Sequence, residues 1–300
     1  MRYRPFGASG KAVSAVSLLL RDAPNMGAPS AWRSLVFGAM ENGINCFEVT
    51  AGSDVLTLGV GEALAAVERR LIFLGWRLRG SSVGSITARD IADSVRSALQ
   101  KTRARYLDLL MIDESAIEIL TPDAMSYLSD LRTSGVCLQI GIAGDGEAIE
   151  QCIGSQTFDV LATSFNLTSD WQARRRIRDA SAANMTLIGC NPFPSGLHAK
   201  PATRGDVERP MRRGLLGVRR PDPLSSSVGS YAFLQETPGW THEELCLAYT
   251  LTEPAFATIQ LEAGRSIDRM AAVPDRDLPT GVAAQIEMAR FGQIAAERRA

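Results

Sequence analysis

The sequence predicts a single α/β domain over residues 1–300, a closed (β/α)8 barrel of the TIM type that opens with an N-terminal β-hairpin. Three observations predict it. Eight short apolar runs recur along the chain, with segments of helical period between them. The runs are apolar on both faces, as parallel strands covered by helices must be. A chain of 300 residues suits one such barrel, and eight strand–helix repeats favour closure over an open doubly wound sheet.

Each element follows from local chemistry. Residues 3–11 contain the turn Ala8-Ser9-Gly10 between extended segments, which suits a hairpin closing the bottom of the barrel. The strand runs are 13–20, 43–49, 71–76, 107–112, 137–143, 160–166, 186–191 and 257–261. Among the helices, 32–42 places Leu35, Val36 and Ala39 on one side and stops at Asn42-Gly43. Residues 87–102 set Ile91, Val95, Ala98 and Leu99 at three-four spacing. Residues 121–134 begin with Thr121-Pro122 and end in Ser134-Gly135. A short helix at 267–272 follows the last strand, and 285–300 read as a helix packed on the barrel, with Arg298 and Arg299 at the negative end of its dipole.

The connection at about 198–240 breaks the rhythm. It is rich in Gly, Pro, Ser and Arg, including Arg212, Arg213, Arg219 and Arg220. A connection of this length is functional or disordered. It reads either as a surface insertion, or as a clamp over a bound anion or a partner-docking segment.

A hydrophobic fraction of 45% with 22% charged residues is that of a globular protein in water. The net charge of −1 gives no global electrostatic case for nucleic acid or an anionic membrane. No apolar run reaches the ~18 residues of a membrane span, and Met1-Arg2-Tyr3-Arg4-Pro5 does not begin a signal peptide. The five cysteines are scattered, without C-x-x-C spacing, and read as reduced thiols of a cytoplasmic protein rather than metal ligands.

Seven pieces in order carry a family resemblance. They are the opening Arg4-x-Phe6-Gly7-x-Ser9-Gly10, then Glu41-Asn42-Gly43-Ile44-Asn45-Cys46-Phe47-Glu48, and Tyr106-Leu107-Asp108-Leu109-Leu110-Met111-Ile112. Next come Ile140-Gly141-Ile142, Phe158-Asp159-Val160-Leu161, Asn191-Pro192-Phe193-Pro194-Ser195-Gly196-Leu197 and Gly264-Arg265-Ser266. Over nearly the whole chain they resemble the aldo-keto reductases. The resemblance implies a barrel that binds a nicotinamide dinucleotide at the C-terminal strand ends. In active members it also implies carbonyl reduction by hydride transfer. Those members use a tyrosine as proton donor, a lysine and an aspartate to tune it, and a histidine to orient the carbonyl. The tuning matters because an ordinary phenol, with a pKa of ~10, is a poor acid at neutral pH.

All four positions are changed here. Glu48 stands at the aspartate position, Ser53 at the tyrosine, Trp76 at the lysine with Arg77 beside it, and Asp113 at the histidine. Glu48 and Asp113 are expected either to project into one cavity from neighbouring strand ends and do acid–base work together, or to pair with Arg77 or Arg79. The nicotinamide end is also altered, with Ser17 and Leu19 in the first strand, Ala143-Gly144 after the fifth, Ala162 in the sixth and Cys190 closing the seventh. The phosphate end is better kept. The resemblance gives cofactor contacts to Asn191, Pro192, Phe193, Ser195, Gly196 and Leu197, and to Gly264, Arg265 and Ser266, where a helix start and a guanidinium together suit an anion.

The reading that follows is a catalytically silent homologue of an oxidoreductase. It binds NAD(H) in preference to NADP(H), holds no metal, and acts through protein partners. The resemblance extends to regulators of bacterial cell division and the cell cycle, which implies FtsZ and a cell-fate histidine kinase as partners. One alternative is an active NAD(P)H-dependent carbonyl reductase with Glu48, Asp113 or water as proton donor. The other is a scaffold without nucleotide, its pocket closed by Leu19.

Overall fold

The computed structural model describes residues 1–80, 84–194, 231, 233–264 and 266–297, with residues 235 and 292–297 as backbone alone. Ser195, Gly196, Leu197 and Arg265, and the 198–240 connection as far as residue 230, lie outside the described residues.

A two-stranded antiparallel hairpin comes first, β1 (Tyr3–Phe6) against β2 (Lys11–Ser14). Eight parallel strands then close a barrel: β3 (Val16–Leu20), β4 (Cys46–Thr50), β5 (Phe73–Leu78), β6 (Leu109–Asp113), β7 (Ile140–Ala143), β8 (Val160–Ser164), β9 (Thr186–Cys190) and β10 (Phe256–Glu262). They pair in sequence order, and β10 closes the ring by pairing with both β9 and β3. The expected fold is the one formed. One apolar run is divided differently: 13–20 splits at Ala15, its first part completing the hairpin and its second opening the barrel.

The helices form the outer layer: α1 (Pro29–Glu41), α2 (Asp54–Leu64), α3 (Ala88–Thr102), α4 (Glu114–Ile117), α5 (Pro122–Thr133), α6 (Glu147–Cys152), α7 (Trp171–Ala182), α8 (Phe233–Glu236), α9 (His242–Leu251), α10 (Ile267–Ala272) and α11 (Val282–Glu297). Their ends obey the sequence signals. Pro29 starts α1 three residues before its apolar stripe begins, and Gly43, at φ +82°, takes the left-handed conformation that ends it. Thr87 and Asp90 form a reciprocal capping box on α3, and Thr241 and Glu244 do the same on α9.

Two cores result. One lies between strands and helices. The other fills the barrel, where the hairpin's Phe6 and Val13 meet Cys46, Phe73, Leu109 and Val160, with the Phe6 and Phe73 rings 4.3 Å apart. The hairpin is therefore a plug, and buried polar side chains pin it. Asp108 accepts from Lys11 Nζ at 2.7 Å, Arg69 Nη2 at 2.6 Å and the Leu74 amide at 2.8 Å. Asn45 accepts from the Ser14 amide at 2.8 Å and donates to the Ala12 carbonyl. On the opposite side Asp159 joins Arg132 to the Ile140 amide. Three polar residues of the family-like motifs thus close the barrel bottom, away from any chemistry.

A third anchor holds α11. Glu287 accepts from Tyr249 Oη, Arg290 and Arg174. Partial burial pushes its carboxyl upward, but these three donors outweigh that and hold it below the ordinary glutamate value.

Two outcomes are expected. Asp108→Ala leaves two cations and an amide without their acceptor and should cost about 3 kcal/mol in urea unfolding. A group whose folded pKa is depressed stabilises above its unfolded value and loses that contribution as pH falls through the folded one. The α11 anchor is therefore intact at neutral pH and weakens below the ordinary glutamate range. Hydrogen exchange of α11 should rise there, and Glu287→Gln should show the weakened anchor already at pH 7.

Candidate functional site

Alternate residues of a strand point to opposite sides, so the C-terminal strand ends deliver a fixed set of side chains to the barrel mouth. On β4 the outer face carries Phe47 and Val49, which leaves Cys46, Glu48 and Thr50 inside. On β5, Phe73 faces inward, and so do Gly75 and Arg77. Trp76 faces outward. It sits in the helix-facing core and its indole N–H donates to Ser94 Oγ of α3 at 2.9 Å.

This corrects the assignment of Trp76 to the site. The side chain that β5 sends into the mouth is Arg77. The third barrel strand therefore presents a cation, the Arg77 guanidinium, to the mouth.

Arg77 and Glu48 are both almost fully buried, their side chains 6% and 4% exposed. Arg77 Nε donates to Glu48 Oε1 in a very short contact. Gln260, inward on β10, closes the triangle: its Nε2 donates to Glu48 Oε2 at 2.9 Å, and its Oε1 accepts from Arg77 Nη2 at 3.2 Å. Gly75 makes room for this, since a Cβ there would stand 3.0 Å from Glu48 Cγ. Burial alone would lower the Arg77 pKa, but Glu48, with Cys190 and Asp113 behind it, raises it above the ordinary value. The guanidinium thus keeps its proton and is no acid.

Asp113, inward on β6, is 26% exposed and lies 3.8 Å from Arg77 Nη1 and 3.7 Å from Arg79 Nε. Of the two expectations for the carboxylates, ion pairing with Arg77 and Arg79 is the one observed. The strands of Glu48 and Asp113 are not neighbours. β5 runs between them and places Arg77 there.

Ser53 is used structurally. Its Oγ accepts from the Leu56 amide at 3.3 Å as the N-cap of α2 and donates to Asp22 at 3.1 Å. Cys190, at the end of β9, has its Sγ 3.7 Å from Gln260 Oε1. Burial pushes its thiol up to about 12, against the pull of Arg77, so it is protonated at neutral pH and not nucleophilic.

The rim continues as a second network. Asp145 accepts from Thr163 Oγ1 at 2.7 Å, the Ser164 amide at 2.9 Å and Arg176 Nη1 at 3.0 Å. Asn191, at φ +50°, donates to Ser164 Oγ at 2.8 Å and accepts through its carbonyl from Asn166. Glu114 accepts from the Asp145 amide at 3.0 Å and fills the space a side chain on Gly144 or Gly146 would need.

Pro192 is buried beside Asn191, and Phe193 packs half-buried on the core. Gly264 has φ +120°, and none of the described residues lies within 4 Å of the position of a Cβ. Ser266 is the N-cap residue of α10, but its hydroxyl makes no capping hydrogen bond. Thr50 Oγ1, inward above Glu48, is buried without a hydrogen-bond partner among the described residues.

All five tyrosines are described, and none stands at the mouth. Tyr3 donates to the Gly43 carbonyl beside the hairpin, Tyr106 lies under Arg69 at the barrel bottom, and Tyr127 is on α5. Tyr231 and Tyr249 belong to the outer core near α11. No cluster of His, Cys, Asp or Glu fit to hold a metal occurs among the described residues, and no helix there is long and apolar enough to cross a membrane.

Sequence reasoning missed Gln260 and assigned the inward strand-end position to Trp76, one residue before Arg77. The available signal was a lone glutamine inside the apolar run 257–261, together with an arginine directly after 71–76.

Residues 35–285 match the profile described as the aldo/keto reductase family. Among solved structures, the chain is similar to aldo-keto reductase AKR11C1 from Bacillus halodurans. The holo form aligns with TM-score 0.72 at 19% identity over 96% of each chain, and the apo form with 0.70 at 19% over 96% of each. At this identity the likeness is one of fold. No curated protein matches the chain by sequence.

Removing one partner of a buried pair costs more than removing a neutral hydrogen bond. Glu48→Ala should therefore lower unfolding free energy by about 3 kcal/mol. Trp76→Phe, which gives up the bond to Ser94, should lose about 1 kcal/mol. Equal losses in chemical unfolding would contradict the placement of the charge pair.

Proposed function

Since the chain belongs to the aldo/keto reductase family, whose members bind nicotinamide dinucleotides, we propose that it retains nucleotide binding without the family's reduction chemistry and acts through protein partners. The observation that carries this reading is the state of the mouth. Its one fully buried carboxylate and one fully buried cation are bonded to each other and to Gln260, and every phenol lies elsewhere. Carbonyl reduction needs a proton at the developing alkoxide. Arg77 does not release one, the Cys190 thiol is held near 12, and Ser53 is engaged as a helix cap.

Nucleotide binding draws support from the phosphate side. Among the described residues nothing crowds Gly264, and the Ser266 hydroxyl is free of the helix it begins. These two, with Asn191, Pro192 and Phe193, would hold the pyrophosphate, joined by Ser195, Gly196, Leu197 and Arg265 from outside the described residues. The orphaned Thr50 hydroxyl is suited to a polar group lying over the ion pair. When bound, the dinucleotide supplies a hydride donor or acceptor. The carboxamide end fits less well, because Ala143, Gly144 and Ala162 offer no side-chain hydrogen bonds there. Preference for NAD(H) and the choice of partners rest on resemblance to the bacterial regulator KidO, an NAD(H)-binding oxidoreductase homologue. On that basis the partners are FtsZ and a cell-fate histidine kinase, and the setting is the bacterial cytoplasm.

One observation favours a second reading, an active reductase with another donor. Asp113 is partly exposed, and both its arginine contacts exceed hydrogen-bond length.

Fluorescence titration with NADH and NADPH, followed by turnover assays on aldehydes and quinones, separates these readings. The proposal expects saturable NADH binding, weaker NADPH binding and no oxidation of NADH above background. Turnover lost in Asp113→Asn would establish the second reading. Failure of both nucleotides to bind at millimolar concentration would leave a scaffold.

A further inference from the structure

The outer surface carries a groove that the barrel mouth does not use. It runs beside α7, between that helix, the turn at residues 253–255 and α11, and encloses about 720 Å³. From Trp171 to Ser181 it follows α7 for about 15 Å, the length of a short peptide segment rather than of a single small anion. Its floor is apolar, from Ile177, Pro254 and Ala255. At one end the Trp171 indole is 63% exposed.

The polar lining is short of acceptors. Arg174, Arg178 and Arg290 face the groove together with one carboxylate, Glu253, which accepts from the Ala255 amide. Arg174 and Arg290 share a single carboxylate, that of Glu287. Two guanidiniums thus divide one carboxylate, which leaves the groove lining with a net positive charge. Arg178 is exposed on the same stripe of α7, three and seven residues being one face of a helix, and has no carboxylate partner among the described residues. An excess of guanidiniums over carboxylates, beside an exposed indole, is the composition of an interface hot spot for an acidic partner.

We propose that this groove docks an acidic segment of a partner protein, its carboxylates on Arg174, Arg178 and Arg290 and one aromatic or aliphatic side chain against Trp171. The inference deepens the partner-binding part of the proposed function and rests on it. It moves the docking surface from the arginine-rich connection to the face of α7.

The test is selection of a random peptide library on the full-length chain, followed by affinity measurement against Trp171→Ala and Arg178→Glu variants. Both changes are at exposed positions, and thermal unfolding checks that each variant is folded. The expected result is enriched peptides of net negative charge with one large apolar residue. Each variant should weaken their binding about tenfold, and binding should weaken with added salt. Enriched peptides that are neutral or basic, or that bind both variants unchanged, overturn the groove and leave partner binding elsewhere intact. Recovery of no binding peptide also overturns the groove. The nucleotide titration stands apart from all of these outcomes.

Discussion

A guanidinium inside a barrel must be neutralised where it stands, and the top of this molecule is arranged around that requirement for Arg77. Moving a charge out of water costs several kcal/mol after relaxation. That cost is offset only when the partner is close and the remaining donors are satisfied. Glu48 supplies the charge, Gln260 bonds both partners, and Gly75 supplies the space. These residues come from β4, β5 and β10, so the triangle reaches across the mouth as well as around it. It fixes the position of the Cys190 thiol and leaves Asp113 as the loosest charge at the site. Loss of one member of such a pair is destabilising whether or not a ligand is present. Removing either partner would strand the other in the barrel mouth, so Glu48 and Arg77 depend on each other.

The sequence disclosed the fold more readily than the site, for one physical reason. A closed barrel needs eight apolar strands, and eight apolar runs are visible by eye. The helix stops at Gly43 and Gly135 and the capping residues Thr87 and Thr121 follow from local backbone chemistry alone. Inside against outside is a different question. A parallel strand covered by helices is apolar on both faces, so the alternation that separates the faces of a half-exposed strand is erased. The step from Trp76 to Arg77 is one residue, and one residue reverses the direction of a side chain. Ser53 was placed at a catalytic position by its spacing from Glu48, but the start of α2 needed a cap, and a serine there meets that need locally. Glu48 and Asp113 were read as neighbours because the order of strands says nothing about which long side chain fills the space between two ends.

The conserved-looking polar residues divide along the barrel axis. Asn45, Asp108 and Asp159 lie in the motifs that carry the family resemblance, and all three tie strand beginnings and hairpin together at the bottom. Their work is independent of the side chains at the mouth, which is why the frame is legible apart from the site. In barrels of this architecture the C-terminal strand ends carry function and the N-terminal ends carry stability. Here Asn45, Asp108 and Asp159 lie at the stabilising end, and Glu48, Arg77 and Gln260 at the other.

One helix belongs to both the rim and the outer surface. The inner face of α7 sends Arg176 to Asp145, whose carboxylate also holds Thr163 and Ser164, and Ser164 in turn accepts from Asn191. The outer face of the same helix bears Trp171, Arg174 and Arg178. Arg176 is buried and bonded at both terminal nitrogens, so α7 cannot shift along the barrel without breaking charge-assisted hydrogen bonds at the rim. A ligand that rearranged Asn191 would act on Ser164, then Asp145, then Arg176. That series consists of direct contacts, each between atoms already within hydrogen-bond distance. The four side chains come from the ends of three strands and the middle of α7, so the series ties the barrel rim to the helix that carries Arg174 and Arg178 on its outer side.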